Sequence, residues 1–149
     1  MLRTIGCAVL CGSILALGGC GKKKPPALTE VEGVVMINGV PLPHATVTLM
    51  PELKDFVELH SVAVTDENGR FKMESFGKPG AYVGKNRVLV AEGPMPANLR
   101  NQEAQGEQAQ YLKALKNRPI PDQYGNLAQS TIYVEVKGDQ KEYVIQLSR

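Results

Sequence analysis

Alternation of apolar and polar residues is the main pattern of the chain from residue 29 onwards, and it predicts short, half-buried β-strands. Four runs place apolar residues at every second position: Val31, Gly33, Val35 and Ile37; Ala45, Val47 and Leu49; Ile132, Val134 and Val136; Tyr143, Ile145 and Leu147. Further runs cover 59–66, 69–75 and 84–93, and turn formers such as Asn38 and Gly39 separate the runs. About seven strands without alternating helices predict an all-β fold, an antiparallel seven-stranded β-sandwich.

Residues 93–126 interrupt this pattern as an excursion before the last two strands. The segment contains many glutamines and alanines, which favour helix over strand. Residues 103–116 therefore predict a helix, although Gly106 weakens it by about 1 kcal/mol relative to alanine. The apolar residues that lie near one face of this helix are Ala104, Tyr111, Leu112 and Leu115.

A long excursion inside a small sandwich is often functional. We therefore treat its apolar and aromatic side chains as candidates for binding a partner, namely Tyr111, Leu112, Leu115 and Tyr124. The alternative is a solvated insertion that binds nothing.

The first nineteen residues have the features of a secretory signal peptide. Arg3 supplies the positive charge, and the uncharged stretch over 4–19 is shorter than the roughly 20 apolar residues that cross a bilayer. The stretch ends in Leu17, Gly18, Gly19 and Cys20, an order that resembles the bacterial lipobox. That resemblance implies cleavage before Cys20, removal of residues 1–19, and attachment of diacylglycerol and an N-acyl chain to Cys20. The alternative is an ordinary thiol in a conventional signal peptide or in an uncleaved anchor.

Residues 20–29 predict an extended tether between this anchor and the folded domain over 30–149. Three lysines, at 22–24, and two prolines oppose packing and helix formation there. The lysines either touch anionic headgroups or act as solvated spacers. Gly21, where an aspartate would indicate retention at the inner membrane of many Gram-negative bacteria, favours the outer membrane. We therefore expect a membrane-anchored lipoprotein of the cell envelope.

Charge and cysteine content narrow the function further. The 149 residues include 17 basic and 15 acidic side chains, for a formal net charge of +2, so the chain lacks the concentrated basic surface that nucleic acid requires. Cys7 and Cys11 lie in the segment predicted to be removed. The mature chain would keep only Cys20, which excludes a disulfide framework within it.

The stretch "VEGVVMINGVPLPHATVTLMP" followed by "TDENGRF" resembles the opening of the carboxypeptidase regulatory-like domain. The matching residues are Gly39, Pro41, Leu42, Ala45, Val47, Thr65, Asp66, Gly69 and Phe71. Further on, "GAYVGKNRVLV", "IPDQY" and "STIYVEV" resemble small planctomycete-type lipoproteins built on that domain, so the resemblance spans 31–147. It implies a transthyretin-like (prealbumin-like) sandwich with a noncatalytic accessory, adhesive or ligand-binding role. One departure is Asn86, which stands where the family usually has an aromatic residue.

Reactive or metal-binding motifs are weak. His44 and His60 lack the spacing of zinc ligands, and the serines lack the Gly-x-Ser-x-Gly turn of a nucleophile. The acidic turn at Asp66 favours a β-turn over a calcium loop, since position 12 counted from it is Gly77 rather than glutamate. We therefore predict no catalytic residues, no cofactor other than the lipid on Cys20, and no metal.

Three functions remain open. The first is a lipid-anchored envelope module that binds another protein or organises the cell surface, which the anchor and the excursion favour. The second is a polysaccharide or small-molecule binder, in which Tyr82, Tyr111 and Tyr124 could stack on a sugar. The third is a hydrolase.

Overall fold

The structure is a computed structural model that describes residues 23–149, except for the side chain of Gln102. The predicted signal peptide and Cys20 lie outside the described residues. The strands are β1 (Leu28–Thr29), β2 (Glu32–Ile37), β3 (Val40–Pro41), β4 (Ala45–Pro51), β5 (Ser61–Val64), β6 (Arg70–Lys72), β7 (Glu74–Ser75), β8 (Lys78–Pro79), β9 (Ala81–Tyr82), β10 (Gly84–Glu92), β11 (Tyr133–Val136) and β12 (Glu142–Leu147). One α-helix, α1, covers Gln105–Ala114, and three 3-10 helices cover Ala97–Leu99, Gln102–Ala104 and Asp122–Tyr124.

Two main sheets contain most of these strands. The first has the order β11-β10-β4-β5-β7-β8, and all of its pairs are antiparallel. The second has the order β12-β2-β3, and β6 also pairs with β2. Strands β1 and β9 form a separate two-stranded pair. The protein is therefore mostly β with predominantly antiparallel sheets, an architecture consistent with an all-β sandwich.

Inward-facing residues of both main sheets meet in one hydrophobic core. On β4, buried Ala45, Val47 and Leu49 alternate with less buried neighbours, as the period-two pattern predicts. Val35 and Ile37 on β2 are buried in the same core, as are Tyr143, Ile145 and Leu147 on β12. The alternation in the sequence is therefore the alternation between core and surface in these strands.

The last two strands differ from the predicted antiparallel arrangement, because β12 pairs with β2 in parallel. The turn over 137–141 passes from the first sheet to the second, so β11 and β12 do not form a hairpin. The Tyr143 hydroxyl stabilises this crossover: it accepts a hydrogen bond from the Lys137 backbone N–H at 2.9 Å and donates one to the Gln140 carbonyl at 3.1 Å. Gly33 permits the close approach of β2 and β12, since a Cβ at Gly33 would collide with the Tyr143 carbonyl.

The number of strands depends on how short segments are counted. Within residues 23–149, seven strands have three or more residues, namely β2, β4, β5, β6, β10, β11 and β12, and the other five have two residues each. The predicted count of seven strands and the transthyretin-like topology remain predictions.

The connecting segments lie at two opposite ends of the main sheets. The tether end comprises residues 23–30, 52–60, 76–78 and 137–141, which adjoin the start of β10 and the end of β4. The excursion end comprises the turns at 38–44 and 65–69 together with 93–126, which adjoin the end of β10 and the start of β4. Strand β4 alone separates the two ends by about 20 Å, given the rise of about 3.3 Å per residue.

The predicted tether is partly included in the fold. Leu28 and Thr29 form β1 and pair with Tyr82 and Ala81, and the Val83 N–H donates to the Ala27 carbonyl at 2.9 Å. Leu28 is half-buried, which favours this pairing over free solvation. The folded domain therefore begins near residue 27, and not at residue 30 as predicted.

Candidate interaction site

The excursion divides into two halves that contact the sandwich very differently. Residues 93–116 form the open half, which contains α1, and residues 117–126 form the docked half, which contains the last 3-10 helix. The predicted helix over 103–116 is correct in kind. Its α-helical part is shorter, however, and runs from Gln105 to Ala114.

Two polar side chains begin the docked half and bind the turn before β4. Arg118 donates from Nε to the Glu92 carboxylate and from Nη2 to the Pro43 carbonyl, each at 2.8 Å. Asn117 donates from Nδ2 to the Val40 carbonyl at 2.8 Å. Asn117 has a backbone φ of 58°, a left-handed conformation that asparagine tolerates better than most residues. These bonds attach the segment to the excursion end of the sandwich.

The rest of the docked half belongs to the core. Ile120 and Tyr124 both pack into the main hydrophobic cluster. Tyr124 is 7% exposed, and its hydroxyl donates to the Ser148 carbonyl at 2.8 Å and accepts from the Ser148 N–H at 3.1 Å. Hydrogen bonds with the Ser148 side chain and backbone lower the pKa of Tyr124. Tyr124 is therefore a structural residue, and its burial makes it unavailable for the partner binding that the sequence predicts for it.

Helix α1 in the open half contributes nothing to the core. None of the side chains over 105–114 is buried, although Leu99 and Ala104 just before the helix are. The Gln108 side chain attaches the helix to this preceding segment by donating to the carbonyls of Leu99 and Asn101. The helix ends at Ala114 because Leu115 adopts an extended conformation.

Three of the four predicted partner-binding residues lie on this uncovered part of the excursion. Leu112 is 38% exposed, and Tyr111 and Leu115 are half-buried. Tyr111 and Leu112 are consecutive residues of α1 and point in directions about 100° apart, and Leu115 follows the helix in an extended conformation. What the helix offers to another macromolecule is therefore a mostly polar surface with one partly exposed leucine, which the protein's own core does not cover.

A small groove lies where α1 ends against the sandwich. It has a volume of about 230 Å³ and is lined by Pro43, His44, Glu67, Ala114, Leu115 and Lys116. This volume is below the roughly 300–1,000 Å³ of typical small-molecule pockets. The groove contains a histidine, a carboxylate and an ammonium group. Among the candidate partner-binding residues, Leu115 lines it.

The residues considered for metal binding are separated or used locally. His44 lies at the excursion end and His60 at the tether end, so the two histidines do not share a site. The Asp66 carboxylate accepts from the backbone N–H groups of Asn68 and Arg70, at 2.8 and 2.9 Å, which is the β-turn arrangement predicted for it. Gly69 closes this turn with a φ of +71°. Among residues 23–149, no group of three or more His, Cys, Asp or Glu side chains could hold a metal ion.

The tyrosines considered for sugar stacking are mostly unavailable. Tyr82 and Tyr124 are both buried, and only Tyr111 of the three is half-buried. Asn86, which stands where carboxypeptidase regulatory-like domains usually have an aromatic residue, is also an interior residue. Its side chain is fully buried, and its Nδ2 donates to the Tyr82 and Gly84 carbonyls, each at 2.8 Å. The Asn86 side chain thus fastens the start of β10.

Sequence reasoning missed the two side chains that hold the excursion in place. Asn117 and Arg118 stand directly before a proline, in a stretch without strand or helix periodicity. An asparagine before an Arg-Pro pair is a weak turn signal, and nothing local indicates that both side chains reach carbonyls more than 70 residues away.

Comparison of the chain with protein-family models, curated proteins and solved structures found no significant match. Over residues 23–149, no helix has the length and apolar character needed to cross a membrane.

Proposed function

We propose that this protein is a noncatalytic, lipid-anchored module of the bacterial cell envelope that binds another envelope protein through the open half of its excursion. Cys20 carries the lipid and holds the domain at the membrane, with the outer membrane favoured by Gly21. The fold proposed for the domain is a seven-stranded transthyretin-like sandwich, as the resemblance to carboxypeptidase regulatory-like domains implies.

The observation that carries the proposal is the position of α1. The helix contains partly exposed Leu112 and half-buried Tyr111, contributes no buried side chain over 105–114, and lies at the end of the sandwich opposite the entry of the tether. A surface about 20 Å from the tether end would extend away from the membrane that holds Cys20. This placement supports contact with a partner located beyond the protein's own membrane surface.

Replacement of the anchoring cysteine tests the first part of the proposal. We expect Cys20→Ser to abolish incorporation of labelled fatty acid and to leave an unprocessed precursor or to release the protein from membranes. The matched control is Cys11→Ser, which changes a cysteine in the same N-terminal segment and should leave lipid labelling unchanged. Normal lipid labelling of the Cys20→Ser variant would contradict the anchor.

Replacement of the exposed leucine tests the second part. Leu112→Ser removes apolar surface from α1 without opening the core, so the domain should keep its stability while losing its protein partner. Val144→Ser is the matched control, because Val144 is also exposed but lies on β12 in the second sheet. Equal partner recovery with both variants would contradict α1 as the binding element.

A further inference from the structure

Two neighbouring segments at the tether end, the loop over 52–60 and the turn at Phe76, each expose large apolar side chains. Val57 is 71% exposed and Phe76 is 68% exposed, far more than a folded domain needs. The His60 ring connects their segments, because it lies 5.3 Å from the Phe76 ring and follows Val57 by three residues. Leu53, which is 37% exposed, lines a groove of about 450 Å³ together with Val57. We call Leu53, Val57 and Phe76 the tether-end patch.

Phe76 occupies a position that the fold does not favour for phenylalanine. Phe76 and Gly77 form the two-residue turn between β7 and β8, and both have positive φ values, 49° and 76°. Turns of this kind favour Asn-Gly, and the chain uses Asn38 and Gly39 in the equivalent turn between β2 and β3. A bulky residue with positive φ is strained, so local stability does not explain why phenylalanine stands at this position.

The predicted lipid site is close to this patch along the chain. Three peptide units connect Cys20 to Lys23, so their Cα atoms are at most about 11 Å apart. Lys23 forms an ion pair with Asp55 at 2.6 Å, which places this part of the chain beside the loop that contains Leu53 and Val57. Even without this exposed ion pair, seven peptide units from Cys20 to the fixed Ala27 span at most about 25 Å.

We propose that the tether-end patch inserts into the lipid surface to which Cys20 is anchored, so that the domain rests on the membrane in one orientation with its excursion outward. This inference rests on the proposed lipid anchor. The anchor confines the domain within a short distance of the bilayer, which makes lipid the occupant that meets the patch most often. Exposed aliphatic and aromatic side chains insert into the boundary between headgroups and acyl chains.

The charges near the patch favour anionic lipid to a small extent. Lys54 and Lys78 flank the patch and favour anionic headgroups, as does Lys24 in the tether, whereas Glu58 opposes them. Asp55 is already paired with Lys23. This positive surplus predicts somewhat stronger insertion into bilayers that contain phosphatidylglycerol than into neutral ones.

Lipid quenching of site-specific probes tests the inference on the full lipidated protein. Single cysteines are introduced as Val57→Cys and, for control, Val144→Cys; each is labelled with an environment-sensitive fluorophore. The protein is then reconstituted into phosphatidylcholine vesicles, with and without phosphatidylglycerol, that contain spin-labelled lipid. We expect blue-shifted emission and strong quenching of the probe at residue 57, and unshifted, unquenched emission at residue 144, which is 60% exposed on β12.

Flotation of the same vesicles distinguishes failure of the inference from failure of the anchor. Protein that floats with vesicles but shows equally weak quenching at both positions would overturn the inference and leave the anchor intact. Protein that does not float would overturn the anchor and the inference with it. A probe at residue 57 that becomes shielded from water only as the protein-to-lipid ratio rises would assign the patch to a second copy of the chain, which also overturns the inference.

Phe76→Asn provides a variant that separates membrane contact from folding. Asparagine suits the positive φ at this position, so the variant should unfold at the same or a higher temperature than the original protein. With less apolar surface to insert, it should lower the quenching of a probe at residue 57. Unchanged quenching in this variant would exclude Phe76 from the membrane contact.

Discussion

The two halves of the excursion are continuous in sequence but differ in how they contact the sandwich. The docked half is fixed by hydrogen bonds from Asn117 and Arg118 and by the burial of Tyr124. In the open half, Gln108 only ties the helix to the carbonyls of the preceding segment, and the helix leaves Leu112 partly exposed. A segment that needs both halves only for stability would bury both. The docked half therefore fixes the position from which the open half extends.

Removal of the Tyr124 ring should have the largest effect on this comparison. Tyr124→Ala deletes a buried aromatic ring and its hydrogen bonds to Ser148, and we expect it to lower the free energy of unfolding by about 3–5 kcal/mol. Urea denaturation measures the change. Tyr111→Ala in the open half is the matched control and should cost about 1 kcal/mol or less.

Tyr124→Phe separates the contribution of the Tyr124 ring to the free energy of unfolding from that of its hydroxyl. Tyr124→Phe keeps the ring and should cost only about 1 kcal/mol through the lost hydrogen bonds. Equal destabilisation by Tyr111→Ala and Tyr124→Ala would remove the distinction between the two halves.

Loss of the Arg118 side chain should have an intermediate effect. Its guanidinium is largely buried, with a side-chain exposure of 12%, and it bridges Glu92 and the Pro43 carbonyl. We expect Arg118→Ala to cost about 2 kcal/mol, because charged hydrogen bonds are lost and a half-buried carbonyl is left without a donor. Arg100→Ala is the control, since exposed Arg100 only reaches the nearby Met95 carbonyl. Amide exchange should increase over 117–126 in the first variant alone.

Stabilisation of α1 should have the smallest effect. Gly106 lies in the helix, and a Cβ added there would meet no neighbouring atom within 4 Å. Gly106→Ala should therefore slow amide exchange within α1, with a gain of up to about 1 kcal/mol in the local helix equilibrium. The midpoint of global urea denaturation should change little, since α1 is outside the core. A rise in global stability as large as the local gain would place α1 within the cooperative fold.

Local patterns in the sequence were sufficient to predict the core strands. A period of two is set by each strand's own backbone, so the alternation around Val47 and Leu49 predicts which residues are buried. The turn at Asn38 and Gly39 was equally local, because its residue types match the φ values that the turn requires.

Features that depend on distant parts of the chain were not predictable in this way. The turn at 137–141 has the composition of a hairpin, yet it crosses between sheets because β12 finds its place beside β2. Tyr124 looks like a surface residue in a polar segment, and only its packing into the distant core cluster and its hydrogen bonds with Ser148 make it a core residue. The helix itself was predictable, because the glutamines and alanines of this stretch favour helix locally, but the expected apolar face is weak, since Gln105–Ala114 is polar on most of its surface.

In-cell photo-crosslinking tests the central claim most directly. A photoreactive amino acid is placed at Tyr111 on α1 and, in a second strain, at Lys137 at the tether end. We expect a discrete protein adduct from position 111 that disappears when Leu112→Ser is added, and no protein adduct from position 137. No adduct from position 111, or the same adduct from both positions, would contradict the claim that the open half of the excursion binds a partner.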